Sequence, residues 1–304
     1  MTVAEAPPPF RIAFDTARDP YTARNALGIA GTGAGLITSV TAPLSVTGGT
    51  LSIDLNGYQL PNSGRLTFVS ATQLAFKPYN GDRIKINGTI YAIPSGGIAG
   101  LTNGGLSANT TYYVYAFNSS GTITGEFSAT AHVMSATAGN VGIEVKSGDD
   151  TRSLIGLIRT NASSQFVNGS KQRFVVSWLN RMPLTLWGGN TSAAVTTSTT
   201  HVELTTAART EFVTWGDFWS IVTGSGSNST ANLGVGSAIM VDGALMAPTT
   251  QTLAQCFLAN VQVTCGGAVV VDLAEGYHYA TPSGLAYAGG TATISTSLYG
   301  SVNG

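Results

Sequence analysis

The sequence predicts a mainly β protein: an extended N-terminal arm with one short helix, then two antiparallel β-sandwich-like domains of jelly-roll or Ig-like type. Three observations predict it. Short runs rich in β-branched and aromatic residues follow one another from Gly57 nearly to the end of the chain. Turn dipeptides such as Asn87-Gly88 and Asp242-Gly243 punctuate them. Glycine reaches 38 of 304 residues while charged residues fall to 10%, against a usual charged share of about 25%.

The arm covers residues 1–55. Pro7–Pro9 fixes an extended start, because proline locks φ and removes a donor. In the segment from Asp19 to Gly28, Asp19 fits an N-cap, Pro20 the first helical position and Gly28 the residue after the last turn. A helix this short is marginal alone, since isolated helices under about 12–15 residues rarely hold in water. It is therefore expected to dock. Phe10, Phe14, Asp19, Tyr21, Leu27 and Ile29 are the expected anchoring residues. The runs Val40–Ser45 and Thr50–Leu55, broken by Gly48-Gly49, read as a β-ribbon leading out of the arm.

Residues 56–182 read as the first sandwich. Arg83–Ile86 and Thr89–Ile93 flank Asn87-Gly88, the strongest short hairpin signal. Tyr112–Asn118 and Thr122–Phe127 flank Ser119-Ser120-Gly121, and Arg152–Arg159 and Phe174–Leu179 are further strands. The spacing from Leu106 to Tyr112 is that of a tyrosine corner, in which a Tyr hydroxyl bonds back to the upstream backbone. Residues 183–304 read as a second sandwich. Its strands are Pro183–Trp187, His201–Leu204, Ala238–Val241, Leu245–Ala247, Val261–Thr264, Ala268–Leu273 and Thr291–Leu298. Hairpins are expected at Asp242-Gly243 and Gly266-Gly267, and Ala207–Phe218 suits either a short helix or a strand.

Net charge is −1 and no basic run occurs, which argues against a nucleic-acid partner, since phosphate binding needs clustered Lys and Arg. No apolar run approaches the roughly 20 residues needed to span a bilayer, and MTVAEAPPPF lacks the regions of a signal peptide. Assembly in a host cytoplasm without membrane insertion is the expectation. So little charge suits a chain that buries much of its surface against copies of itself or a larger assembly. Cys256 and Cys265 exclude a disulfide framework and read as small buried thiols.

No catalytic motif emerges, and the expectation is a non-enzyme with no cofactor and no metal. His132, His201 and His278 show no zinc-ligand spacing. The Gly31-Thr-Gly-Ala-Gly35 run lacks the spacing and βαβ context of a dinucleotide site. A glycan hydrolase would need two carboxylates about 5–10 Å apart. Glu203, Glu211, Asp217, Asp272 and Glu275 are the C-terminal candidates, and they follow no motif. The stretch Ser147–Arg152 holds two carboxylates but not the six or more oxygens of a calcium loop, and reads as a solvated turn. Aromatics carry more. Phe212, Trp215, Phe218 and Trp219 cluster, with Tyr277, Tyr279 and Tyr287 following. Such side chains are core or subunit interface when buried, and sugar-stacking or hot-spot surfaces when exposed. On the second reading Trp215, Phe218, Trp219, Tyr277 and Tyr279 are the receptor-binding candidates.

The block LTFVSATQLAFKPYNGDRIKINGTIYAIP, the hairpin YYVYAFNSSGTITGEFS and GDDTRSLIGLIRTNASSQFV resemble a segment of tailed-bacteriophage structural proteins of the tail-fibre or head-fibre type. Upstream, DPYTARNALGI is similar to sequences near the N-termini of fibre and collar-type proteins. The resemblance implies a homotrimer, a virion-anchoring N-terminus contacting neighbouring tail, collar or capsid proteins, and an exposed C-terminal tip. It implies no catalytic residue. The expected function is that of a virion structural protein, a fibre-like appendage serving assembly and host-surface attachment, with a host-surface glycan as partner. The alternatives are a capsid decoration protein without receptor binding, a tail-associated glycan hydrolase, and a bacterial adhesin.

Overall fold

The computed structural model describes residues 44–47, 50–53, 62–246 and 250–304. The expected anchor residues Phe10, Phe14, Asp19, Tyr21, Leu27 and Ile29, and the helix after Asp19, lie outside the described residues. The chain divides into two units, Met1–Leu60 and Pro61–Gly304. Within the first, β1 (Leu44–Thr47) and β2 (Thr50–Ile53) pair antiparallel, with Thr47 opposite Thr50.

The second unit opens with two hairpins, β3 (Arg65–Ser70) with β4 (Gln73–Lys77) and β5 (Arg83–Ile86) with β6 (Thr89–Ala92). The second turns as its Asn-Gly pair predicts: Asn87 at φ 49° and Gly88 at φ 77° both take the left-handed conformation of a type I′ turn. Both hairpins cover a sheet of β7 (Thr111–Ser119), β8 (Thr122–Ser128), β9 (His132–Met134), β10 (Glu144–Lys146) and β11 (Asp149–Arg159). Its order is β8-β7-β11-β10-β9. After the short hairpin β12 (Asn168–Gly169) and β13 (Gln172–Arg173), β14 (Val175–Ser177) pairs with the end of β11 that β10 leaves free. Leu66, Phe76, Ile84, Ile86, Ile155 and Ile158 fill the core between hairpins and sheet. The tyrosine corner forms: the Tyr112 hydroxyl accepts the Ser107 amide at 3.0 Å.

The remaining chain adds β15 (Pro183–Thr196), β16 (Val202–Glu203), the 3-10 turn Thr206–Ala208, β17 (Thr210–Thr214), β18 (Asp217–Asn228) and β19 (Leu233–Val241). There follow β20 (Ala244–Leu245), β21 (Thr250–Cys256), β22 (Val263–Asp272), β23 (Gly276–Tyr287) and β24 (Ala292–Asn303). They make two layers, β15-β24-β18-β22 and β17-β23-β19-β21, joined where β21 pairs with β22. Taking β16 and β17 as one interrupted strand, the layers read 1-8-3-6 and 2-7-4-5, the interleaving of a jelly roll. Leu186, Phe218, Val222, Val269, Leu298 and Val302 from the first layer meet Phe212, Ile239, Val241 and Ala280 from the second. The alternation that drives this is plainest in β24, where Ile294, Thr296, Leu298 and Val302 point inward and every second residue between them outward.

Two sequence expectations change. The Gly266-Gly267 pair is no hairpin turn; it lies inside β22, pairing with Thr223 and Val222 on one side and Thr252 and Gln251 on the other. A Cβ on Gly266 would come within 2.5 Å of the Val222 carbonyl oxygen, so this glycine serves close strand approach. The Ala207–Phe218 segment holds no helix beyond the 3-10 turn; it is mostly the strand β17 and the start of β18.

The two sandwich-like halves belong to one compact unit. β13 runs parallel to β17 and so extends the jelly-roll sheet. Leu157 and Val176 of the first half pack with Val213 of the second, flanked by Tyr113, Leu184, Trp215 and Tyr277.

Candidate functional site

The structure separates the five receptor candidates. Phe218 is 3% exposed and stacks on Phe212 with ring centroids 4.8 Å apart, so it is core. Trp215 is partly buried at the join between the halves. Its indole N–H donates to the Ser177 carbonyl at 3.0 Å, and its ring meets Trp178 edge-on at 4.9 Å. The Tyr277 hydroxyl donates to Glu211 at 2.6 Å beneath the Arg159 guanidinium, and burial, then this bond, pushes its pKa well above the usual phenol range. Tyr279 is covered by Arg209, 4.0 Å over its ring. Trp219 alone of the five is well exposed, at 48%.

Around Trp219 the register assembles a surface that sequence proximity does not reveal. Trp187 on β15 lies opposite Tyr299 on β24, Tyr299 opposite Ile221 on β18, and Ile221 opposite Ala268 on β22. Trp219 lies opposite Val270 in the adjoining row. Directly opposed side chains stand about 4.5–5.5 Å apart at Cβ, so these residues form one continuous outward patch. Trp187 and Tyr299 are each 44% exposed, Ile221 39% and Val270 75%. The neighbouring outward positions Thr185, Thr223, Ser297 and Ser301 are uncharged. Charge enters at one end, where Asp217 opposes Asp272, and along the β15 edge, where the Arg173 guanidinium donates to the Thr185 carbonyl and Lys171 lies beside Trp187.

Beside Trp187 the layers part into a cleft of about 490 Å³, lined among others by Lys171, Trp187, Gly189, Ser192 and Thr205. A β-bulge between Asn190 and Ala194 shapes one wall. Asn190 pins it from within: its amide donates to the Ser192 and Ile294 carbonyls, both at 2.9 Å, and its side-chain oxygen accepts from the Thr296 amide and hydroxyl. The β12–β13 turn closes the lower end. The Ser170 carbonyl accepts from Trp187 N–H and the Lys171 carbonyl from Glu211 N–H, each at 2.9 Å, so the turn is held by both layers.

One cluster was missed in sequence because its members are far apart in the chain. His132 lies between two carboxylates, Nδ1 at 2.6 Å from Glu144 and Nε2 at 2.9 Å from Glu275. Tyr113 donates to the other Glu275 oxygen at 2.5 Å. Tyr113, Trp178 and Trp215 surround the imidazole. The bond to Glu275 raises the His132 pKa against the opposing effect of burial, and the bond to Glu144 adds to the rise. Burial pushes Glu275 upward, but the bonds from His132 and Tyr113 outweigh it and hold its pKa below the ordinary value. The arrangement joins β9 and β10 to the β22–β23 turn as a charged clasp between the halves.

Most of the other carboxylates singled out in sequence are also engaged, Asp272 on the exposed end of β22 being the exception among the described residues. Glu203 receives both a 2.6 Å and a 2.7 Å bond from Arg209, Glu211 accepts from Gln172 and Tyr277, and Asp217 accepts from Asn303. Asp149 is satisfied by the Thr151 amide and hydroxyl, and Asp150 by Ser135. Cys256 and Cys265 are free and buried, and burial pushes the Cys265 thiol up to about 11.

No family model and no curated protein matches the chain. Among solved structures, a particle of the infectious bursal disease virus Gx strain aligns at 11% identity and a TM-score of 0.29, over 80% of this chain and 66% of that one. The VP2 subviral particle of the same virus aligns at 12% identity and 0.29, over 80% and 68%. Its T13 particle aligns at 14% and 0.31, over 80% and 66%. The chain thus spans about two thirds of the length of these solved chains, and likenesses this distant carry no weight for function.

Proposed function

We propose that this chain is a virion structural protein, a fibre-like appendage that assembles with copies of itself and presents its jelly roll outward. The observation that carries the reading is the continuous uncharged face of Trp219, Val270, Ile221 and Tyr299, on a chain with only 10% charged residues. Exposed apolar patches of this kind mark contact surfaces. The resemblance of residues 57–181 to phage fibre proteins supports the same reading and adds the homotrimer. On this view the face packs against a sister subunit, where removing apolar area from water contributes about 25 cal/mol per Å² before ordering costs.

Light scattering of the purified full-length protein tests this. The expected wild-type mass is that of a trimer. The Trp219→Ser, Val270→Ser double variant should shift it toward monomer with its melting transition retained, because neither side chain is in the core. A monomeric wild type contradicts the reading.

A further inference from the structure

We propose that the cleft beside Trp187 binds an anionic polyhydroxylated ligand, a saccharide or polyol with a negatively charged substituent; this rests on the reading of the chain as an outward-facing virion protein. The cleft, at about 490 Å³, falls within the usual 300–1,000 Å³ range of small-ligand sites. Its shape is built in: the Asn190 bonds fix the bulge and the doubly held β12–β13 turn fixes the other end. The ligand class follows from three features. Trp187, 44% exposed at the cleft wall, offers a flat apolar face to the C–H side of a sugar ring. Beyond Trp187 the strand β15 pairs, among the described residues, only with β24 on its other side, and the cleft is lined there by Ser192 and by Thr205, whose hydroxyl accepts from the Ala207 amide and keeps its proton for a ligand oxygen. A peptide strand does not fit there, because the bulge breaks the edge register that strand addition needs.

Lys171 supplies the charge selectivity. Its ammonium makes no hydrogen bond or ion pair among the described residues, and the nearby acids are engaged elsewhere: Glu203 with Arg209, Glu211 with Gln172 and Tyr277. An adjoining hollow of about 390 Å³ shares Lys171 and adds Gln172, Arg209 and Glu211. Lys171 therefore sits midway along a groove, set to meet an anionic group on a ligand whose ring rests on Trp187.

Calorimetric titration of the full-length protein with oligogalacturonate, maltohexaose and poly(glycerol phosphate) tests the proposal. Binding of either anionic probe in preference to maltohexaose is expected, and the arm that binds says whether the charge is a carboxylate or a phosphate. Lys171→Gln should weaken that binding by about tenfold, the scale of one charge-assisted hydrogen bond, and remove the preference over maltohexaose. Trp187→Ala should abolish measurable binding, while Leu258→Ala, exposed in the β21–β22 loop and outside the cleft lining, should leave it unchanged. Tight binding of maltohexaose alone, indifference to both cleft variants, or no binding of either anionic probe overturns the proposal. If the protein is nevertheless found in purified particles, the virion reading stands without it.

Discussion

His132 is the residue on which solution conditions act most directly. To donate to Glu144 and Glu275 at once it must carry both ring protons, so the clasp is complete only as an imidazolium between carboxylates. Its folded pKa lies above its ordinary value of 6.5, so its contribution is full below 6.5 and is lost as pH rises through the folded value. Glu275 lies below its ordinary 4.5, so its contribution is present above 4.5 and is lost as pH falls through the folded value. Urea-unfolding midpoints should therefore be highest between about pH 4.5 and 6.5. His132→Gln should lower the unfolding free energy by roughly 1–3 kcal/mol in that window, the scale of hydrogen bonds to charged groups, and flatten the fall at higher pH. An unchanged pH profile in the variant would remove the clasp from the account. Sequence could not show this site, because Tyr113, His132, Glu144 and Glu275 meet only through the fold. Nor could it separate Trp215, Phe218 and Trp219, which sit close in sequence and fit core and surface alike. Gly216, at φ 134°, separates Trp215 on the β17 side from β18, and within β18 alternation then sends Phe218 in and Trp219 out.

At the scale of single elements the sequence was more readable, because turn chemistry and alternation act locally. Asn87-Gly88, Asp242-Gly243 and the Leu106–Tyr112 spacing are legible from local turn chemistry, and distant bonds from Gly88 N–H to Asn140 and from Tyr279 N–H to Asp242 then add to the first two. Tyr112→Phe should cost about 0.5–1.5 kcal/mol, one net hydrogen bond, read as a lower melting temperature with unchanged far-UV dichroism. Gly266-Gly267 shows where local signals fail. The same residue type that permits a turn also permits close strand approach, and only the neighbouring Val222 backbone distinguishes the two. Gly266→Val places side-chain atoms against that carbonyl and should destabilise by roughly 1–3 kcal/mol, as overpacking does. A variant with wild-type stability would show that β18 and β22 can separate at little cost.

For the whole molecule, the sequence indicated two β-rich stretches and a depleted charge, and the structure assembles them as a sheet-and-hairpin half joined to a jelly roll. What it could not convey is which outward residues become neighbours. Trp187, Ile221, Val270 and Tyr299 come from four strands, and their patch exists only once the 1-8-3-6 layer has formed. That layer connects composition to function: it brings Trp187, Trp219, Ile221, Val270 and Tyr299 together on one face and leaves the cleft beside Trp187 at the edge of that face. The most direct test of the central claim is reconstruction of intact purified particles. The account predicts density for this chain on the particle surface, in symmetric copies that touch through the Trp219–Val270 face. Particles that lack the chain, or copies that leave that face bare, would contradict it.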